Sequence, residues 1–466
     1  MNPIDLQDLR TQLHEGAVLT RPEDMAAFCL DYRQRFHGDA VAVVQPNSTA
    51  EVQAVVRWAQ RAQVRLTPQG GNTSLCGGAT PSADAADRPA IVLSLNKLNQ
   101  LRSLSVVDGC MTVEAGMVLK TAQMTAAAAG RYFPLSLASE GSCQIGGNIA
   151  CNAGGLNVVR YGTMRDLVMG LEVVLPDGTV VDGLTPLHKN TTGLDLKQLF
   201  IGSEGTLGVI TAATLKLFAQ PKTTVTAWVG LPSIEDACTL LSLLQGEFAE
   251  RVSSFELLSA RALALSCAFT GLSAPVAAPW HILLELTDSM ILPQLADALF
   301  EVLAQAGHEQ VVVAQTQQQR LQLWQLRESV SEAQRDLGAS IKHDIALPIS
   351  GVAAFIRENM PKVEALYADA ALVVFGHLGD GSLHYNVFLG QTLGHEVYAS
   401  EQVINATVYA DVLAFNGTIA AEHGIGQLKK EWLKSQLGKE ELSLFRVIKQ
   451  SFDKHLLFNN GKIIDI

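Results

Sequence analysis

Ser139-Glu140-Gly141-Ser142-Cys143-Gln144-Ile145-Gly146-Gly147-Asn148-Ile149-Ala150-Cys151-Asn152-Ala153-Gly154-Gly155 is the stretch on which the reading of this fold turns. Its glycines, with Ser139, Ser142, Asn148 and Asn152, leave little side chain to pack. Backbone laid directly against a flat or phosphorylated ligand accounts for this better than a loose loop does. Working upstream, Lys120 opens an alanine-rich helix ending at Gly130, and 91–95 and 111–118 read as strands. A second glycine loop lies earlier, Pro68-Gln69-Gly70-Gly71-Asn72-Thr73-Ser74-Leu75-Cys76-Gly77-Gly78. It follows a strand at 41–44, a helix opened by the capping box Ser48-Thr49-Ala50-Glu51, and a strand at 65–67. Bare amides and small hydroxyls in that order make an anion-binding concavity. The dinucleotide fingerprint G-x-G-x-x-G is absent, and taken alone the loop fits a surface turn equally well. Downstream, 168–175 and 179–181 form a hairpin, and Gly202-Ser203-Glu204-Gly205-Thr206-Leu207-Gly208-Val209-Ile210 runs into a strand at 212–217.

The chain has 466 residues, 48% of them hydrophobic and 17% charged, enough for two or three packed domains. Its net charge of −12 argues against nucleic acid as a partner. Seven scattered cysteines with no C-x-x-C fit a reducing compartment rather than a disulfide framework. No apolar run reaches membrane-spanning length, and residues 1–20 resemble neither a secretory signal nor a transit peptide. The expectation is a soluble cytoplasmic protein.

After Phe218 the pattern changes. Strands at 223–230, 252–257, 280–286 and 310–314 alternate with helices at 233–245 and 294–306, which predicts an antiparallel sheet backed by helices. One helix over 317–336 carries Arg327 and Ser331 on one face, and Lys342 follows in a short strand. A helix near 350–367 leads to Gly376-His377-Leu378-Gly379-Asp380-Gly381-Ser382-Leu383-His384-Tyr385-Asn386, two strands joined by a Gly-Asp-Gly loop. His384 and Asn386 share one face of the return strand, and His377 stands where the first strand enters the loop. Two imidazoles on a hairpin suit a divalent metal such as zinc, and Glu422 in Ala421-Glu422-His423-Gly424-Ile425-Gly426 would supply a third ligand. Three protein ligands leave a coordination position for substrate. Helices at 395–415, 427–437 and 439–454 precede Phe458-Asn459-Asn460-Gly461-Lys462.

P-x-G-G-x-T, I-G-G-N-x-x-x-N-A-G-G and G-S-E-G-T-L-G-V-I together resemble the FAD domain of vanillyl-alcohol-oxidase-type flavoproteins. The second half, with G-H-x-G-D-G-x-L-H-x-N and A-E-H-G-I-G, resembles the C-terminal domain of FAD-linked D-2-hydroxyacid dehydrogenases. The fold class implied is α+β: a two-part FAD-binding domain (1–218), an antiparallel ferredoxin-like cap (219–410) and a helical C-terminal segment returning to the flavin (411–466). The resemblance implies FAD contacts from Pro68, Gly70, Gly71, Asn72, Thr73, Ser74, Gly77, Ser139, Gly141, Gly146, Gly147, Asn148, Asn152, Gly155, Gly162, Glu204, Gly208, Ile210 and Asn459. Some relatives attach flavin through a histidine beside the first glycine pair. Asn72 stands there in this chain, so non-covalent FAD is expected.

The resemblance also implies a divalent metal, zinc first, on His377, His384 and Glu422, with His423 as the base and Asn386 on the α-carboxylate. Arg327, Ser331 and Lys342 resemble the set with which D-2-hydroxyglutarate dehydrogenases meet the distal carboxylate. The expected reaction is hydride transfer from D-2-hydroxyglutarate to flavin N5. D-malate, D-lactate and glycolate remain alternatives, as does a flavin-binding subunit of a glycolate-oxidase-like complex. An electron-transfer flavoprotein or a quinone-linked carrier would take the electrons, and a homodimer is an open arrangement.

Overall fold

A computed structural model describes residues 4–82, 88–390 and 394–466, without the side chains of Asp336 and His395. The chain divides into two compact units. The first takes in 1–154, 162–219 and 422–466; the second takes in 155–161 and 220–421. The sequence reading starts the returning segment at 411, whereas the first unit takes the chain up again at Glu422. The excursion at 155–161 into the second unit leaves no mark in the sequence pattern.

The first unit holds two main sheets. β1 (Val18–Leu19), β2 (Ala42–Val44), β3 (Arg65–Gln69) and β4 (Ala90–Ser94) lie in the order β1-β2-β4-β3, with β4 parallel to both β2 and β3. The crossover is the helix Thr49–Ala62, capped as its sequence predicts: the Ser48 side chain accepts from the Glu51 N–H, and Glu51 accepts from the Asn47 N–H. β5 (Leu101–Ser105), β6 (Cys110–Glu114), β8 (Val168–Val174), β9 (Val180–Asp182) and β10 (Val209–Lys216) form an antiparallel sheet ordered β5-β6-β10-β8-β9. β7 (Arg131–Tyr132) pairs with β11 (Phe218–Ala219). β5 was not foreseen, because Leu101-Arg102-Ser103-Leu104-Ser105 is largely exposed and carries no alternating apolar face.

The second unit is built on seven antiparallel strands: β12 (Thr223–Leu231), β13 (Val252–Ser259), β14 (Trp280–Asp288), β15 (Val311–Val313), β16 (Ile341–Ala346), β17 (Ala370–Gly376) and β18 (Ser382–Leu389). Their order is β15-β12-β14-β13-β17-β18-β16. The hairpin that carries His377 and His384 is therefore part of the cap sheet, joined through Leu257↔Gly376 and Leu258↔Phe375. The single helix expected at 317–336 is three pieces, Gln317–Glu328, Val330–Ala333 and a 3-10 turn Gln334–Leu337. The break falls at Ser329, whose side chain caps neither piece and whose backbone still bonds to Gln325 and Ala333. It leaves Arg327 buried and Ser331 exposed.

His281 on β14 is 2% exposed and its Nδ1 accepts from the Trp228 indole N–H. An accepting imidazole is neutral, and burial lowers its pKa from 6.5 to about 4. The unfolded chain takes up that proton near pH 6.5, so stability is lost as the pH falls from about 6.5 to about 4. The loss reaches about 3 kcal/mol at most. His281→Gln keeps an acceptor and removes the titration, and should flatten the urea midpoint over that pH range. An unchanged slope would exclude His281 as the acid-sensitive group.

Candidate functional site: a glycine cradle and a histidine hairpin

In the first unit β3 delivers Pro68 and Gln69 to the first glycine pair, and Gln69 fixes the turn by donating to the Phe28 and Ala79 carbonyls. The two glycine stretches lie against each other. A Cβ on Gly71 would stand 2.1 Å from the Ser142 oxygen, and one on Gly146 would stand 2.7 Å from the Ala115 Cβ. The second stretch is not all loop: Ile145–Ala150 forms a short helix, which lets Gly146 pack while Asn148 is buried beside Cys143. Other glycines face open space. A Cβ on Gly141 would meet nothing within 4 Å, and one on Gly147 would meet only the Gly70 Cα at 4.0 Å. Buried Asn72 Oδ1 and Gln144 Oε1 have no hydrogen-bond partner. Open backbone flanked by orphaned acceptors fits a polar flat ligand such as FAD.

Individual side chains around this cradle are committed locally. Asn72 adopts φ 53°, and its Nδ2 donates to the Ala27 and Leu30 carbonyls at 3.0 and 2.8 Å, fastening the end of the helix Pro22–Cys29. Ser74 Oγ accepts from the Cys76 and Gly78 N–H groups, and the Ser139 carbonyl accepts from Ser142 and Cys143. Thr73 is half-buried beside them, and Gly77 packs on the Phe36 ring. Asn152 Oδ1 accepts from the Arg165 N–H, and Gly162 sits where a Cβ would meet the Asp166 carboxylate. Gly208 and Ile210 lie at the head of β10 against Val173. Gly155 stands apart, in the excursion that belongs to the second unit.

The returning segment locks onto Glu204. This carboxylate accepts from the Ile425 and Gly426 N–H groups at 2.7 and 2.8 Å. Asn459 Nδ2 donates to the Glu204 carbonyl, and Lys462 Nζ donates to Asn459 Oδ1 and the Gly78 carbonyl. Burial pushes Glu204 up, against those two N–H groups and Lys462, and pushes Lys462 down to about 7. Glu204 and Asn459 thus fasten the C-terminal segment to the glycine cradle. With asparagine at position 72 spent on backbone carbonyls, acid precipitation should release all the yellow cofactor into the supernatant. Flavin staying with the pellet would contradict this.

In the second unit strand register assembles one polar face. Asp344 pairs with His384 and Lys342 pairs with Asn386 across β16 and β18, and alternation puts all four on the same side. Phe375 of β17 stands opposite His384, with ring centroids 4.8 Å apart. The His377 and His384 rings are 5.6 Å apart, and each offers a nitrogen within 4.8 Å of the other's. Asp344, buried, brings a carboxylate oxygen equally near to His384. His377 Nδ1 lies 2.9 and 2.8 Å from the two oxygens of Glu256, a residue with no exposed surface. Burial raises the Glu256 pKa, but His377 and Arg327 outweigh it and hold the group below the usual carboxylate range.

Asn386 Nδ2 donates to Gln334 Oε1 at 2.8 Å, and Lys342 is half-buried. Glu422 and His423 follow directly on Ala421, whose N–H donates to the Asp344 carbonyl at 3.3 Å. A pair of imidazoles, one already donating its second nitrogen to a carboxylate, fits a divalent metal. Sequence reading missed Glu256 and Asp344. The signal available was a lone acid inside an apolar strand, Phe255-Glu256-Leu257 and His343-Asp344-Ile345.

Residues 220–463 match the family described as FAD linked oxidases, C-terminal domain, and residues 40–183 match the FAD binding domain. The chain belongs to the FAD-linked oxidase family and is an FAD-dependent oxidoreductase. It is 38% identical to a D-2-hydroxyglutarate dehydrogenase of Xanthomonas citri pv. viticola, over 96% of this chain and 94% of that one. A putative mitochondrial D-lactate dehydrogenase of Schizosaccharomyces pombe is 34% identical over 93% and 84%. In architecture the chain is similar to p-cresol methylhydroxylase, with TM-score 0.76 and 15% identity, over 99% of this chain and 96% of that one. The fold is that of the vanillyl-alcohol-oxidase type.

Proposed function

We propose that this enzyme oxidises D-2-hydroxyglutarate to 2-oxoglutarate, with a divalent metal, zinc first, held by His377, His384 and Glu422. The observation that carries the reading is the single polar face of β16 and β18, where Lys342 faces Asn386 and Asp344 faces His384. Bound FAD supplies the acceptor for two electrons, and a bound divalent metal supplies a Lewis acid that lowers the pKa of the α-hydroxyl. The His423 imidazole takes the hydroxyl proton, a contribution typically worth ~10²–10⁴ in rate. Asn386 keeps one N–H beyond Gln334 for the α-carboxylate. Lys342 and Arg327, with Ser331 at the rim, meet the distal carboxylate, which must shed water to enter.

The D-2-hydroxyglutarate dehydrogenase relative supports a diacid, and the D-lactate dehydrogenase relative keeps D-lactate as the second reading. Mixing the protein anaerobically with D-2-hydroxyglutarate, D-malate, D-lactate and glycolate while following the flavin's visible band decides between them. Fastest bleaching by D-2-hydroxyglutarate is expected. Faster bleaching by D-lactate would remove the diacid assignment, and no bleaching by any would favour a subunit of a larger complex. An electron-transfer flavoprotein or a quinone-linked carrier is the proposed next acceptor. Cytoplasmic residence is supported by seven free cysteines.

A further inference from the structure

We infer that Glu256 is the positioning residue that sets both the metal-facing nitrogen of His377 and the aim of Arg327. The inference rests on the function proposed above and adds a residue that none of the sequence motifs contains. An ionised carboxylate only accepts hydrogen bonds, so the proton of His377 must sit on Nδ1, which touches both Glu256 oxygens. The lone pair then sits on Nε2, the nitrogen that would bind the metal. The same carboxylate accepts from Arg327 Nε at 2.9 Å, and Arg327 Nη2 lies 2.7 Å from its Oε2.

Nε is thus held by a hydrogen bond, whereas Nη2 is close to the carboxylate without hydrogen-bonding to it, and the guanidinium lies over Phe375 with its central carbon 5.1 Å from the ring centroid. The two Nη nitrogens, neither hydrogen-bonded to Glu256, are the donors offered to a substrate carboxylate. Phe375 also packs on His384, so Arg327, which Glu256 holds, and His384 share one apolar side chain. Outer partners of this kind orient a ligating histidine and typically contribute 10–100-fold to metal affinity. One buried acid on β13 therefore couples metal retention to diacid recognition.

The test compares the purified holoenzyme with Glu256→Gln, Arg327→Met and the double variant, using a wild-type circular dichroism spectrum and thermal unfolding profile to certify folding of both units. Metal retained against a graded chelator is measured by elemental analysis, and KM is measured for D-2-hydroxyglutarate. Glu256→Gln should hold metal about 10–100-fold more weakly and raise KM. Arg327→Met should raise KM and keep metal at wild-type affinity. The double variant removes both buried charges, so it folds even if Glu256→Gln leaves Arg327 unpaired and unfolds. It should show the same metal loss. Wild-type metal affinity in the double variant would overturn the inference and make Glu256 a counter-ion of Arg327 alone. Metal loss in Arg327→Met as large as in Glu256→Gln would overturn it too. An active wild type that holds no metal would instead overturn the metal reading itself, and with it this one.

Discussion

Lys342→Met is expected to lower kcat/KM for D-2-hydroxyglutarate by about 30- to several-thousand-fold while D-lactate loses less than about tenfold. The asymmetry follows from where the charge sits. Lys342 is on β16, directly across from Asn386, and is half-buried, so a carboxylate that meets its ammonium sheds part of its water. Methionine keeps an unbranched stem of similar length and does not disturb the β16–β18 ladder. What is lost is a cation for the far carboxylate, and removing one partner of a desolvated charge pair costs about 2–5 kcal/mol. D-lactate has no second carboxylate and never makes the contact. Equal losses on both substrates in steady-state assays would show that Lys342 supports the fold, and the diacid would have to be given up.

His384→Ala is expected to reduce turnover by about 10³-fold or more while flavin stays stoichiometric. Loss of a Lewis acid removes several kcal/mol of charge stabilisation, which is of that size. The flavin cradle lies in the first unit, built from the stretches around Gly70 and Gly147, and does not depend on β18. The strand itself is fastened by backbone pairing to β16 and β17, so alanine leaves the ladder in place. Elemental analysis should show metal in the wild type and little in the variant. A variant that keeps both full metal and full turnover would exclude His384 as a ligand. Chelation of the wild type should reproduce the loss, and added metal should reverse it.

Some of this protein was legible in its sequence because the relevant physics is local. The Ser48–Glu51 capping box specifies a helix start within four residues, and the structure places the helix at Thr49–Ala62. The hairpin at 370–389 follows from two apolar strands around Gly-Asp-Gly, and strand alternation alone puts His384 and Asn386 on one face. The glycine stretches announce close backbone approach, because nothing larger could stand at Gly71 or Gly146.

Tertiary structure decided the rest. Glu256 lies 121 residues from His377 and 71 from Arg327, and no periodicity links positions so far apart. Asn72, Glu204 and Asn459 fit a ligand-contact reading by motif, yet their side chains are engaged by Ala27 and Leu30, by Ile425 and Gly426, and by Lys462. The helix that should have carried Arg327 and Ser331 on one face breaks at Ser329, so one is buried on Glu256 and the other faces water. Local sequence sets which conformations a segment can adopt. Which buried charge finds which partner is fixed only when the strands pair, since an ionised group in the interior is stable only where the fold brings its counter-charge.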